Sequence, residues 1–164
     1  LKTYIDSERF KEVPIYIRAG KNLNQYVTEI SIVFKNPTGH EPNVLIYRIQ
    51  PNEGIVLKIL TKVPGHEAKI EPEYMQYCYH IDPHSHYIPD PYERLLVDTI
   101  RGDQTFFNDA QEVEAQWAFI DPLVAKRVEP IIYKPGSWGP KEADKLIEED
   151  GRSWLEPSME FCRI

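Results

Sequence analysis

The chain has 164 residues, of which 41% are hydrophobic and 12% aromatic, a composition typical of one globular domain and not of a disordered protein. Its formal net charge of -7 argues against a broad basic surface for nucleic acid or anionic lipid, so an anionic ligand would need a few placed cations. No stretch approaches the roughly 18 apolar residues that a membrane-spanning helix needs, and the beginning of the chain lacks a signal-peptide pattern.

Five segments in the first half of the chain have the β-branched and aromatic composition of strands. They are residues 13–18, 27–34, 44–50, 54–60 and 74–80. The second segment alternates in polarity, and we predict that its more apolar set forms the buried face. That set is Thr28, Ile30, Ile32 and Phe34. The letters PNEG between the third and fourth segments predict a tight turn and hence a hairpin.

Three helices follow, each indicated by apolar spacing between capping signals. The first runs from Asp90 and Pro91 to Gly102, the second starts at Asn108 or Asp109, and the third lies between Pro140 and Gly151. Pro122 predicts a kink or a division in the second helix. Because the strands precede the helices and do not alternate with them, we predict an α+β fold in a single domain.

The two cysteines, Cys78 and Cys162, lie far apart and form no CxxC motif. Free thiols in the cytoplasm are the simplest interpretation, and a disulfide between them stays open. The chain starts with Leu1 and not with methionine, so we interpret it as part of a longer protein or as a trimmed chain.

A histidine-rich segment, HIDPHSHY, raises the question of a metal site. It contains His80, His84 and His86, with Asp82 and Asp90 nearby. In an extended segment His84 and His86 would point to the same side, as zinc ligands can. Structural zinc sites usually have a second pair of ligands at a distance, which the sequence does not offer. We therefore favour a polar loop and predict no metal site.

Lys21 directly follows a glycine at the end of the first strand segment, in the sequence YIRAGK, where the backbone can approach a ligand closely. Gln50 ends another strand. A cation and an amide at strand ends would suit a phosphorylated sugar, with the cation on the phosphate and the amide on hydroxyls. Solvated surface side chains are the alternative interpretation. No glycine-rich dinucleotide fingerprint, Walker loop or nucleophile motif is present in the sequence.

Several spaced motifs resemble the carboxy-terminal part of the bacterial type of glucose-6-phosphate dehydrogenase. In chain order they are VPIYIRAGK, RIQPNEGIVLKILTKVPG, DPYERLLVDTIRGDQTFF, EVEAQWAFIDPL and GSWGPKEAD, and the resemblance extends from about Phe10 to Trp154. It implies an α+β domain with a large, mainly antiparallel sheet and helices packed on one face. It also implies that residues 1–164 are the C-terminal part of the substrate and oligomerisation domain, without the N-terminal Rossmann domain that binds NADP.

The activity that this resemblance implies is oxidation of glucose 6-phosphate to 6-phosphogluconolactone with NADP, the first step of the oxidative pentose phosphate pathway. In the family, the lysine at Lys21 binds the sugar phosphate, and the glutamine at Gln50 lies at the substrate site. The segment with the catalytic histidine lies upstream in the family, so the resemblance implies no catalytic residue here and an inactive isolated chain.

The resemblance also implies partners: glucose 6-phosphate, and further copies of the chain in a homodimer or tetramer formed through the sheet. It implies a cytoplasmic location. We expect neither a nucleic-acid partner nor a membrane partner. The alternative is a non-catalytic, stand-alone binding or assembly module that kept the fold.

Two positions depart from the family pattern. Tyr26 stands where the family usually has a second basic residue at the substrate, which predicts weaker or altered substrate affinity and favours the non-catalytic alternative. Trp138 stands where eukaryotic members use a basic residue to bind a second, structural NADP, and this argues against such a site. Other positions match that site, namely Arg48, Lys58, Lys62 and the aromatic Trp154.

Overall fold

The computed structural model describes residues 1–36, 39–80, 87, 89–126, 128–158 and 160–162. The chain divides into two compact units, one made of Leu1–Ser85 with Ile132–Ile164 and the other of His86–Ile131. None of the described helices combines the length and the apolar character that crossing a bilayer requires.

The first unit is built on a four-stranded antiparallel sheet whose spatial order follows the chain order. Its strands are β3 (Thr28–Val33), β4 (Val44–Gln50), β5 (Gly54–Lys62) and β6 (Ile70–Cys78). Two short strands, β1 (Lys2–Thr3) and β2 (Ile15–Tyr16), pair separately as a small antiparallel ribbon. The predicted hairpin is present between β4 and β5, and its turn contains the cis peptide bond Gln50–Pro51. The α+β class and the antiparallel sheet are confirmed.

The buried face of β3 is the opposite of the predicted one. Ile30 and Ile32 are 56% and 43% exposed, whereas the Glu29 side chain is only 8% exposed. The reason is electrostatic. Arg48 of β4 is buried and its Nη2 atom lies 2.8 Å from Glu29 Oε2, so the carboxylate is drawn to the covered side of the sheet. Because side chains alternate along a strand, the neighbouring isoleucines then point to the other side.

A C-terminal segment, residues 155–158 and 160–162, covers the side of the sheet that carries Arg48. The Nη2 atom of Arg48 donates a hydrogen bond to the Ser158 carbonyl oxygen at 2.8 Å. The ring of Phe161 packs on Tyr74 with the centroids 5.5 Å apart. Val44 and Val56, the most buried apolar side chains of the sheet, lie on the same side as Arg48.

A disulfide joins Cys78 at the end of β6 to Cys162 in this segment, so the simplest interpretation, free thiols, is wrong. The two residues are 84 positions apart in the sequence, and only the return of the chain over the sheet brings them together. Gly54 makes room for the bridge, because a Cβ atom there would lie 2.5 Å from the Cys162 sulfur. Glycine is therefore required at this position in β5.

The three predicted helices are present. They are α1 (Pro91–Arg101) and α2 (Ala110–Ala125) in the second unit, and α3 (Lys141–Glu148) in the first. The Asp90 carboxylate caps α1 by accepting from the Tyr92 amide, and Asp109 begins α2 with a reciprocal capping box to Glu112. Pro122 does not divide α2. It lies in the last turn, where few residues remain to lose backbone hydrogen bonds.

The disulfide leads to a test of stability. Replacing both cysteines by serine should lower the free energy of unfolding by about 2–4 kcal/mol, because the bridge restricts the unfolded chain over a long loop. Chemical denaturation of the oxidised protein and of the Cys78→Ser/Cys162→Ser variant would measure the difference.

A reductant that cleaves the disulfide to two thiols provides the control, since it should destabilise the parent protein and leave the double variant unchanged. Titration of two reactive thiols in the denatured, unreduced protein would contradict the bridge.

Candidate functional site

Lys21 lies in the loop between β2 and β3, with an exposed side chain. Within the described part of the chain, its ammonium group has no ion-pair or hydrogen-bond partner. The charge is therefore available to an anion from outside the chain.

The backbone around Lys21 is held by a segment from the other end of the sequence. The Gly136 amide donates to the Asn22 carbonyl at 2.8 Å, and the Asn24 amide donates to the Ser137 carbonyl at 3.0 Å. Between these hydrogen bonds Leu23 forms a parallel bridge with Ser137. Residues 20–24, which we call the lysine loop, thus pair with residues 133–138, which we call the bracing segment. The pairing holds the lysine loop to the bracing segment.

Gln50, the second predicted site residue, is exposed at the last position of β4. Its amide nitrogen is 3.4 Å from the Thr28 hydroxyl at the beginning of β3, where a register shift interrupts the pairing. The amide oxygen and a second N–H remain available for a ligand. No hydrogen bond joins Gln50 to Lys21 among the described residues.

Arg18, three residues before Lys21, is enclosed by two tryptophans that were not predicted to contact it. Its guanidinium carbon lies 4.6 Å from the Trp138 ring centre and 4.5 Å from that of Trp154. Burial lowers the pKa of Arg18, and the charges of Asp144 and Glu156 oppose that shift. Arg18 thus joins the end of β2 to the bracing segment. Trp138 in the GSWGPKEAD motif and Trp154 near the end of the resemblance were the sequence signals available for this contact.

A pocket of about 170 Å³ adjoins this stack. Its walls include Ile17, Leu23, Tyr133, Trp138 and Trp154. Most lining side chains are apolar or aromatic, and the basic side chain among them, Arg18, is stacked between the two tryptophans, so the pocket does not resemble a phosphate site.

The three basic residues that match the second NADP site of eukaryotic relatives are all engaged within the chain. Arg48 pairs with Glu29, Lys58 lies 2.6 Å from Glu41, and Lys62 donates to the Gly65 carbonyl. Trp138 is occupied by stacking on Arg18. These residues therefore do not build a cluster of available cations that would suit a dinucleotide phosphate.

The histidine-rich segment can be judged only in part, because Asp82, His84 and His86 lie outside the described residues. The ring of His80 pairs with the Glu53 carboxylate. In the ranges that the structure describes, no group of three or more potential metal ligands comes together.

The uncovered face of the four-stranded sheet is strongly apolar. The strand register aligns Ile30, Tyr47, Ile55 and Tyr77 in one row, and Ile32, Leu45, Leu57 and Met75 in the next. Of these, Ile30 and Met75 are more than half exposed. An exposed apolar surface of this extent is typical of a face that contacts another protein surface.

The chain matches the family model described as "Glucose-6-phosphate dehydrogenase, C-terminal domain" over residues 1–155. It is 41% identical to glucose-6-phosphate 1-dehydrogenase of Treponema pallidum, covering 96% of this chain and 33% of the relative. The corresponding enzyme of Chlamydia trachomatis is 40% identical, with 94% and 38% covered. A relative from Solanum tuberosum, named as a cytoplasmic isoform, is 36% identical, with 94% and 34% covered.

Among solved structures, a glucose-6-phosphate dehydrogenase in complex with its substrate glucose-6-phosphate superposes with a TM-score of 0.84 and 31% identity, over 94% of this chain and 34% of the other. The chain spans about a third of the length of the curated relatives it matches. By the match over residues 1–155, it belongs to the family of glucose-6-phosphate dehydrogenase C-terminal domains.

Proposed function

We propose that this chain is the C-terminal, substrate-side part of an enzyme that oxidises glucose 6-phosphate to 6-phosphogluconolactone with NADP. The observation that carries the proposal is the family match over residues 1–155 in a chain spanning about a third of its relatives. The enzyme would supply the first step of the oxidative pentose phosphate pathway. We propose a cytoplasmic location, which the name of the potato relative supports.

In this proposal the Lys21 ammonium pairs with the substrate phosphate, and the Gln50 amide bonds to sugar hydroxyls. The exposure of Lys21 and the available amide atoms of Gln50 support these roles. NADP would accept the hydride, and its binding site would lie in the longer protein, because the sequence has no glycine-rich turn for a pyrophosphate. We assign no catalytic residue to this chain and expect it to be inactive in isolation.

The role of Lys21 can be tested in the longer gene product that contains this chain. Lys21→Ala should lower kcat/KM for glucose 6-phosphate about 10- to 100-fold, because a charge-assisted contact contributes about 1.5–3 kcal/mol. Gln50→Ala should lower it about fivefold, since a neutral hydrogen bond is worth about 1 kcal/mol. Steady-state kinetics would measure both.

Lys35→Ala is the matched control, because Lys35 is an exposed lysine beyond the other end of β3. It should leave kcat/KM unchanged. Equal effects of Lys21→Ala and Lys35→Ala would remove the substrate contact from the proposal.

Tyr26 is 80% exposed and stands at the position of the usual second cation. Replacing it by lysine should lower the KM for glucose 6-phosphate about three- to tenfold, because a charged donor bonds a phosphate more strongly than a phenol does. Tyr92→Lys, at another exposed tyrosine, is the control and should have no effect. A KM that stays the same or rises in Tyr26→Lys would contradict this role of position 26.

Tyr26 also keeps a second candidate function in view, a non-catalytic binding or assembly module with the same fold. The two candidates differ in an assay of NADP reduction with glucose 6-phosphate, run on this chain and on its full gene product. Activity in the gene product alone supports the enzyme. A gene product of this same length that binds the sugar phosphate without reducing NADP supports the module.

We also propose that the protein forms a homodimer, or a tetramer, through the uncovered apolar face of the sheet. The aligned rows at Ile30 and Ile32 support this surface.

Ile32→Lys should shift the molar mass measured by light scattering towards the monomer. Val33→Lys places the same charge on the other side of the strand and should leave the mass unchanged; a dimer that persists in Ile32→Lys would exclude this face.

A further inference from the structure

The lysine loop has one side-chain contact that acts on Lys21 itself. The hydroxyl group of Tyr133, in the bracing segment, donates a hydrogen bond to the Lys21 carbonyl oxygen at 2.7 Å, across 112 positions of sequence. This bond is separate from the backbone pairs at Asn22 and Asn24. The lysine loop is thus held at Lys21 as well as at Asn22 and Asn24.

Gly20 allows the tyrosine to come this close. A Cβ atom at position 20 would lie 3.2 Å from the Tyr133 hydroxyl oxygen and 3.3 Å from the Leu23 side chain. Both contacts are tighter than ordinary van der Waals packing. The glycine before the lysine therefore serves the approach of Tyr133, and not a left-handed backbone conformation, since Gly20 is not among the residues with a positive φ.

A hydrogen bond to a carbonyl oxygen fixes the orientation of a peptide plane, because the peptide unit is rigid. The plane held here is the one that leaves Lys21, and its other end is Asn22, which has a φ of 53°. Asparagine accepts this left-handed conformation more readily than most residues do. Tyr133 and Asn22 together set the direction in which the Lys21 side chain leaves the backbone.

We infer that Tyr133 is a positioning residue for Lys21, acting through the Lys21 carbonyl to aim the ammonium group at the phosphate of the substrate. This inference rests on the proposed role of Lys21 in binding glucose 6-phosphate. Placement of a charged group matters for affinity because a contact that is off by about 1 Å loses much of its strength. Tyr133 itself does not touch the substrate.

The test uses the longer gene product and the variant Tyr133→Phe, which keeps the ring and removes only the hydroxyl group. It should raise the KM for glucose 6-phosphate about three- to tenfold and leave kcat and the KM for NADP unchanged. Tyr87→Phe is the matched control, since it removes another exposed tyrosyl hydroxyl, one that donates to Glu93. It should change none of the three constants.

A double-variant cycle separates positioning from a structural role. In the Lys21→Ala background, Tyr133→Phe should have no further effect on the KM for glucose 6-phosphate, because there is no ammonium group left to aim. Gly20→Ala gives a second measurement, and its crowding of the tyrosine should raise the same KM.

The outcomes are distinct. Equal effects of Tyr133→Phe with and without Lys21, or a parallel rise in the KM for NADP, would show a general structural role and overturn the inference. If Tyr133→Phe leaves the KM for glucose 6-phosphate unchanged while Lys21→Ala lowers kcat/KM, the inference is overturned and the proposed function stands. A silent Lys21→Ala would overturn both.

Discussion

The buried ion pair of Arg48 and Glu29 determines which side of the sheet is inside. A guanidinium this deeply buried needs a carboxylate and further acceptors, since an uncompensated buried charge costs several kcal/mol. Glu29 accepts from Nε and the Ser158 carbonyl accepts from Nη2, whereas Nη1 has no hydrogen-bond partner among the described residues. Ser158 belongs to the C-terminal segment that covers this side. Because side chains alternate along each strand, the isoleucines of β3 are left on the opposite side. The core residues Val44 and Val56 and the Cys78 end of the disulfide lie on the same side as this charge, and the apolar rows lie on the other.

Local sequence signals predicted the elements well and their environment poorly. The turn after Gln50, the Asp90 cap and the Asp109 cap depend on neighbouring residues, and all three are present. The buried face of β3 was mispredicted because polarity alternation assumes that the apolar side is inside. A buried salt bridge reverses that assumption, and its partner Arg48 is 19 positions away. The Cys78–Cys162 bridge was only an open alternative to free thiols, since nothing local indicates that the C-terminal segment returns over β6.

From the sequence, the candidate site could be predicted only as two residues, without the contacts that hold them in place. A glycine and a lysine at the end of a strand segment identified Lys21, and resemblance to a family gave both Lys21 and Gln50 a role. The contacts of the bracing segment with the lysine loop could not be predicted from the sequence, because they join residues more than a hundred positions apart. Trp138 was noted as a departure from a cofactor site and Trp154 as a match to it, whereas in the structure both enclose Arg18. The role of an aromatic side chain can be inferred only when the residue that it contacts is known.

The separation between Lys21 and Tyr133 has a consequence for biosynthesis. At about 5–20 residues per second, a ribosome adds Tyr133 roughly 6–20 s after Lys21, given the 112 positions between them. During that interval the lysine loop lacks its hydroxyl donor and its backbone partners. The lysine loop can therefore reach its binding geometry only late, after all strands of the sheet have been synthesised. A nascent chain that stops before the bracing segment would contain Lys21 in a loop without the contacts that hold it.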